Sequence, residues 1–178
     1  MTTKRAHDCH AEREFRPLGI AVLVVSDTRN LRSDKSGLLL AERCQEAGHV
    51  LVERIVVLDE VDLIQQRVLE WSGMEEVHTI LITGGTGVFK RDVTPEAVEP
   101  LFDKKMPGFG ELFRYFSFEE IGTATLESRA TAGIVNKTLV FAMPGSSGAC
   151  RLAIDKLILT QLDSRTKPCS IAGMLDRL

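Results

Sequence analysis

The sequence predicts a three-layer α/β/α sandwich around a mostly parallel sheet. Three observations predict it. Apolar, β-branched runs at 20–25, 50–58, 77–83 and 138–143 alternate with stretches of helical character. The first run, Ile20-Ala-Val-Leu-Val-Val25, has no polar position, the pattern of a strand covered on both faces. Strands alternating with helices imply parallel βαβ units with right-handed crossovers.

Taken in order, Ile20–Val25 is the first strand. Asp34–Ala47 follows as a helix, with Leu38, Leu39, Ala41 and Ala47 as its core-facing candidates and Gly48 as the residue that ends it. Val50–Leu58 is the second strand. Asp62 caps a helix whose buried stripe is Ile64, Val68 and Trp71, at spacings of 4 and 3. Val77–Thr83 is the third strand and runs straight into a glycine loop. Thr94-Pro95-Glu96 opens the next helix, with threonine as N-cap and proline in the first turn; Val98, Leu101 and Phe102 form its apolar face. Gly108 and Gly110 loosen the chain before a helix over Glu111–Ile121, whose Phe113, Phe116 and Phe118 read as core. Thr138–Met143 is a fourth strand, ended by Pro144-Gly145. Ser146 or Ser147 caps a last long helix through Leu162, and Ser164–Leu178 reads as a polar tail.

The chain has 178 residues, which favours a single domain: an N-terminal arm over 1–15, a body over 16–170 and a tail over 171–178. A formal net charge of −3 argues against a nucleic-acid coat, so no nucleic-acid partner is expected. Cys9, Cys44, Cys150 and Cys169 form no C-x-x-C pair and read as free thiols of a reduced compartment. Met1–Pro17 is polar and charged, unlike a signal peptide, and no apolar run approaches the roughly 20 residues of a membrane span. The expectation is a cytoplasmic protein with no membrane partner. His7-Asp8-Cys9-His10 holds metal-binding residue types, but in a terminal arm nothing fixes their geometry.

In open α/β sheets ligands bind beyond the carboxyl ends of the strands. Four loops lie there: Ser26-Asp27, Asp59-Glu60, Gly84–Thr94 and Pro144–Gly148. Gly84, Gly85 and Gly87 let backbone approach a ligand and turn its N–H groups inward, and the helix opening near Thr94 adds partial positive charge. Thr83, Thr86 and Thr94 bring hydroxyls; Lys90 and Arg91 bring cations. Together they suit an anion, most naturally a phosphate. The loop matches neither G-x-x-x-x-G-K-[ST] nor G-x-G-x-x-G, so a standard nucleotide motif is not indicated. Asp92 beside a phosphate is repulsive unless a cation lies between, and Asp59 at a neighbouring strand end makes the same point. Two such carboxylates point to Mg²⁺ and to phosphoryl or nucleotidyl transfer. Plainer readings stay open: Asp92 as an acidic residue favouring the following helix, Asp59 as a turn residue, and Gly84–Gly87 as an ordinary turn. Ser128-Arg129 is either an anion contact or a solvated pair, while His49 and His78 read as structural or exposed.

The strings Leu81–Gly87, Arg91–Ala97, Pro107–Glu111, Ser128-Arg129 and Pro144–Ser146, in this order, resemble the MoaB/MogA family of molybdenum cofactor biosynthesis proteins. Ser117–Thr123 and Gln161–Cys169 look closest to its MoaB branch. The resemblance covers about residues 16–170 and implies a molybdopterin-binding domain, trimeric or a dimer of trimers. It also implies adenylylation of molybdopterin by Mg-ATP, with the product passed to a molybdenum-insertion protein. The alternative it implies is a non-catalytic molybdopterin carrier or assembly protein. Carried over by residue, Asp59 and Asp92 would be catalytic and bind Mg²⁺. Gly84, Gly85, Thr86 and Gly87 would cradle the pterin phosphate, Ser128 would help hold molybdopterin, and Thr94 counts among the cofactor-binding residues. Ser26, Asp27, Pro144, Gly145, Ser146 and Ser147 would meet ATP, and Glu111 belongs to a matched motif. One departure is that Asp27 is followed by Thr28, with Arg29 one place later than the family's Asp-Arg. The aromatic stretch Phe109–Phe118 serves either subunit contacts or the core.

Overall fold

The structure, a computed structural model, describes residues 14–177; His7–His10 and most of the expected arm lie outside them. The chain runs β1 (Gly19–Val25), α1 (Ser36–Glu46), β2 (Val50–Val57), α2 (Val61–Ser72), β3 (Thr79–Thr83) and α3 (Thr94–Val98). It continues through β4 (Lys104–Lys105), α4 (Pro107–Ile121), β5 (Thr131–Val135) and β6 (Thr138–Met143). A last helical rod is built from α5 (Ser147–Leu152), a π segment (Ala153–Ile158) and α6 (Leu159–Leu162).

One six-stranded sheet has the order β2-β1-β3-β6-β5-β4. The first four of these strands are mutually parallel, and β5 and β4 are antiparallel additions. Alternation along β1 explains its unbroken apolar run. Ile20, Val22 and Val24 join a core with α1, α4 and the last rod, while Ala21, Leu23 and Val25 join a second core with Ile64, Val68 and Trp71 of α2. The three-layer expectation therefore holds, with six strands rather than four. The missed β5 contains Ala132 and Gly133, both weak strand formers. Gly133 is required there because a Cβ would fall 2.3 Å from the Phe102 ring. Asn136 and Lys137, at φ 47° and 70°, close the β5–β6 hairpin as a two-residue turn.

Several local expectations need correction. In α1 the core stripe is Gly37, Leu40, Ala41 and Cys44, while Leu38 and Ala47 face outward. A leucine triplet offers more than one phase, and Gly37 selects it by lying against Val24, where a Cβ would come within 2.4 Å of Cγ2. Helix α4 begins at Pro107, so Gly108 and Gly110 lie inside it; Gly110 allows close approach to the Ala130 carbonyl. Phe109 and Phe113 are core and Phe116 is half-buried, but Phe118 is out of phase and 57% exposed. Asp62 lies in the first turn of α2 rather than at its cap, and Thr94 is the first residue of α3 with its hydroxyl committed elsewhere. Ser146, not Ser147, caps α5 by accepting from the Ala149 amide. His49 and His78 are structural: each Nδ1 accepts a backbone N–H, from Leu18 and Gly19 respectively. Phe15 packs on His49 at 5.3 Å between ring centroids, and Ala172 and Leu175 of the C-terminal segment reach the core. Among the described residues no helix is long and apolar enough to cross a membrane.

Candidate active site

The sheet order places β2 on one side of β1 and β3 on the other, so consecutive crossovers diverge between β1 and β3. Such a switch point opens a crevice at the strand carboxyl ends. Here it is a cleft of about 320 Å³. Ser26, Gly84, Gly145, Ser146 and Ser147, all candidates from the sequence, line it together with Arg29 and Lys35, which were not among the candidates.

The glycine loop is fixed by its carbonyls. Gly84 O accepts from Thr94 Oγ1 at 2.8 Å and Gly85 O from Thr94 N at 2.9 Å. Thr86 O accepts from Arg129 N at 3.0 Å and Gly87 O from Arg129 Nε at 2.7 Å. With the carbonyls committed, the amides of Gly85, Thr86 and Gly87 donate to none of the described residues. That is the polarity an anion cradle needs. Gly84 sits at φ +104°, and a Cβ there would lie 2.1 Å from Val25 O. Across the cleft, a Cβ on Gly145 would lie 3.2 Å from Gly84 Cα, so two backbones meet without side chains between them.

The other glycines make room for carboxylates. A Cβ on Gly85 would fall 2.5 Å from Asp59 Oδ1, and one on Gly87 would fall 2.7 Å from Asp92 Oδ2. Asp92 Oδ2 also accepts from the Phe89 amide at 2.9 Å. Asp59 is 9% exposed, and its Oδ1, like Thr86 Oγ1, is buried without a hydrogen-bond partner among the described residues. Burial, then the neighbouring Asp27 and Asp92 carboxylates, pushes Asp59 up to about 6. Asp27 accepts from Asp59 N at 3.2 Å and is gripped by Arg91, which holds its carboxyl below the usual range.

Among the described residues no group of three or more His, Cys, Asp or Glu is arranged to hold a metal by itself. Mg²⁺ does not require one; it takes one or two carboxylates and completes its shell with phosphate oxygens and water. The orphaned, buried Asp59 oxygen beside Asp92 fits that demand.

Not every predicted residue converges. Ser26 Oγ accepts from Thr28 N and Arg29 N and so shapes its own turn. Pro144 O accepts from Thr83 Oγ1. Ser128 and Glu111 lie apart, in a separate cleft of about 360 Å³ with Lys105 and Arg114. Arg129 stands between the two regions as a clamp: it also donates to Asp92 O at 2.7 Å and pairs with Glu96. Its sequence position beside Ser128 carried no signal of that role.

A family model described as a probable molybdopterin binding domain matches residues 21–164, the stretch that holds all these loops. Molybdenum cofactor biosynthesis protein B of Escherichia coli (strain K12) is 52% identical over 157 residues, 88% of this chain and 92% of the relative. The chain belongs to the MoaB/MogA family of molybdenum cofactor biosynthesis proteins. The protein of the same name from Bacillus subtilis (strain 168) is 50% identical over 142 residues, 79% of this chain and 84% of the relative. A crystal structure of a molybdenum cofactor biosynthesis protein B matches with TM-score 0.86 at 45% identity, covering 93% of this chain and all of that one. Within this MoaB/MogA fold the displaced arginine has a place: Arg29 reaches the cleft wall despite standing one position late.

Proposed function

We propose that this protein adenylylates molybdopterin with Mg-ATP. The observation that carries the reading is Asp59: a buried carboxylate with one oxygen that, like the amides of the glycine loop it packs on, has no partner among the described residues. A carboxylate beside an anion cradle is tolerable when a cation joins them. Mg²⁺ bound there would neutralise triphosphate charge as pyrophosphate departs. Asp59 and Asp92 hold the cation. The Gly85–Gly87 amides and Thr86 hydroxyl take the pterin phosphate. Arg29 and Lys35 draw the nucleotide's anionic chain into the cleft, beside Ser26 and Gly145–Ser147. An oxygen of the pterin phosphate bonds to the α-phosphorus of ATP. The bond from that phosphorus to the bridging oxygen breaks, and pyrophosphate leaves with the electron pair. Incubation with molybdopterin, ATP and Mg²⁺ should yield adenylyl-molybdopterin by chromatography; no product from the wild type refutes the proposal.

A second reading, a molybdopterin carrier without catalysis, is favoured by the engagement of Asp27 with Arg91 and of Asp92 with its own loop. Calorimetry separates the two, since a pure carrier has no affinity for Mg-ATP. Leu112, Tyr115, Phe118 and Ile121 of α4 are exposed apolar residues and support a homo-oligomer, trimer or hexamer. A monomer in sedimentation would refute that assembly. A cytoplasmic location and transfer of the product to a molybdenum-insertion protein complete the proposal.

A further inference from the structure

Arg91 reaches across all three loops of the carboxylate cluster. Its Nε donates to Asp27 Oδ2 at 3.0 Å and its Nη2 to Asp27 Oδ1 at 2.8 Å, a bidentate fork. Its Nη1 donates to Glu60 Oε1 at 2.9 Å. Asp27 Oδ1 additionally accepts from Asp59 N. Both oxygens of Asp27 are thus occupied, although Asp27 is close enough to Asp59 to raise the energy of its charged form. Meanwhile Asp59 Oδ1 is buried and receives no bond from Arg91 or any other described residue. The cation nearest the cluster therefore serves its outer carboxylates and leaves the inner one uncompensated. The Arg91 pairs are solvent-exposed on both sides, so they open at small cost. A guanidinium fork fits phosphate oxygens as well as it fits a carboxylate.

We propose that Arg91 is a positioning residue that competes with the divalent cation for Asp27 and releases it when a nucleotide's phosphates arrive. The inference rests on the reading of Asp59 and Asp92 as the cation site. In the free protein Arg91 keeps Asp27 from serving a cation. With nucleotide present, the guanidinium exchanges Asp27 and Glu60 for phosphate oxygens, and Asp27 turns to the cation held by Asp59. Metal and nucleotide then bind as a pair, each favouring the other.

The test is Mn²⁺ binding followed by electron paramagnetic resonance, with and without a non-hydrolysable ATP analogue. Arg91→Gln should bind Mn²⁺ alone roughly three- to tenfold more tightly than wild type, as expected for loss of one exposed bidentate competitor. It should also bind the analogue more weakly, and Arg91→Lys should fall between. The tightening should vanish in Arg91→Gln/Asp27→Asn. Unchanged or weaker Mn²⁺ binding by Arg91→Gln overturns the proposal, as does tightening that persists without Asp27. Glu60→Gln, which removes one tether, should show a smaller tightening and serves if Arg91→Gln fails to fold; no tightening there also counts against it. Failure of the cation site itself looks different: the wild type with analogue would then show no Mn²⁺ binding lost in Asp59→Asn.

Discussion

Replacing Asp59 by asparagine should stabilise the metal-free protein while abolishing its chemistry. The folded protein keeps a proton on Asp59 up to about 6, against 3.8 in the unfolded chain. Between those values the folded state binds more protons than the unfolded state, so stability falls as pH rises through that window. Above it the folded protein carries the whole penalty of an ionised, buried group. At about 1.36 kcal/mol per unit that penalty is about 2–3 kcal/mol. For a chain of this size roughly 2–4 °C of Tm accompany each kcal/mol, so Asp59→Asn should melt about 4–12 °C above wild type near pH 8. The gap should close near pH 4, where both side chains are neutral. Thermal melts by circular dichroism without metal, at three pH values, measure it directly. Adding Mg-ATP should raise the wild-type Tm and leave the variant where it was. Equal melting near pH 8, or a gap indifferent to pH, would refute the placement of Asp59 as a destabilised carboxylate awaiting a cation.

Gly84→Ala forces a methyl toward Val25 O at a positive φ and should cost about 3 kcal/mol or more in urea unfolding, or prevent folding. Thr94→Val keeps its shape but loses the bond to Gly84 O, which should lower stability by about 1–2 kcal/mol and raise the KM for molybdopterin. Arg129→Lys cannot bridge Gly87 O, Asp92 O and Glu96 together, so amide hydrogen exchange over residues 84–92 should accelerate by about tenfold or more. His49 and His78 are held below their ordinary 6.5, chiefly by burial. The unfolded chain takes up their protons first, so their contribution is complete above about 6.5 and declines as pH falls toward the folded values. Stability profiles of His49→Gln and His78→Gln should each flatten in that region.

Strands β1, β3 and β6 were legible because burial on both faces leaves them without a charged residue; β2, at the sheet edge, carries Glu53 and Arg54 and was legible from its flanking β-branched residues. The antiparallel edge was not, because β5 is interrupted by a glycine that serves Phe102, a contact 31 residues away, and β4 is too short to show a period. At the site, Asp59 drew notice by its strand-end position and Asp92 by following the glycine loop, and the family resemblance supplied the role expected of both. The purpose of the glycines was only half legible. Sequence explains an open backbone, but that Gly85 and Gly87 accommodate carboxylates depends on where the Asp59 loop folds back and on how Asp92 turns into its own loop. Arg91 on Asp27, across 64 positions, and Arg129 on Gly87, across 42, are long-range pairs with no local periodicity to betray them. Ser128 illustrates the reverse: it is the sequence neighbour of the loop clamp Arg129 yet lines a different cleft.

The backbone-to-backbone meeting of Gly84 and Gly145 also bears on how such a site can diversify. Where the two glycines meet, the wall offers no side chain to exchange, and at Gly84 a Cβ would collide with Val25 O. If the cleft takes the phosphates proposed for it, side-chain discrimination falls to its other lining residues, Arg29, Ser33 and Lys35 among them. Variation of those residues can then retune which phosphate ester is preferred without disturbing the main-chain contact of Gly84 with Gly145.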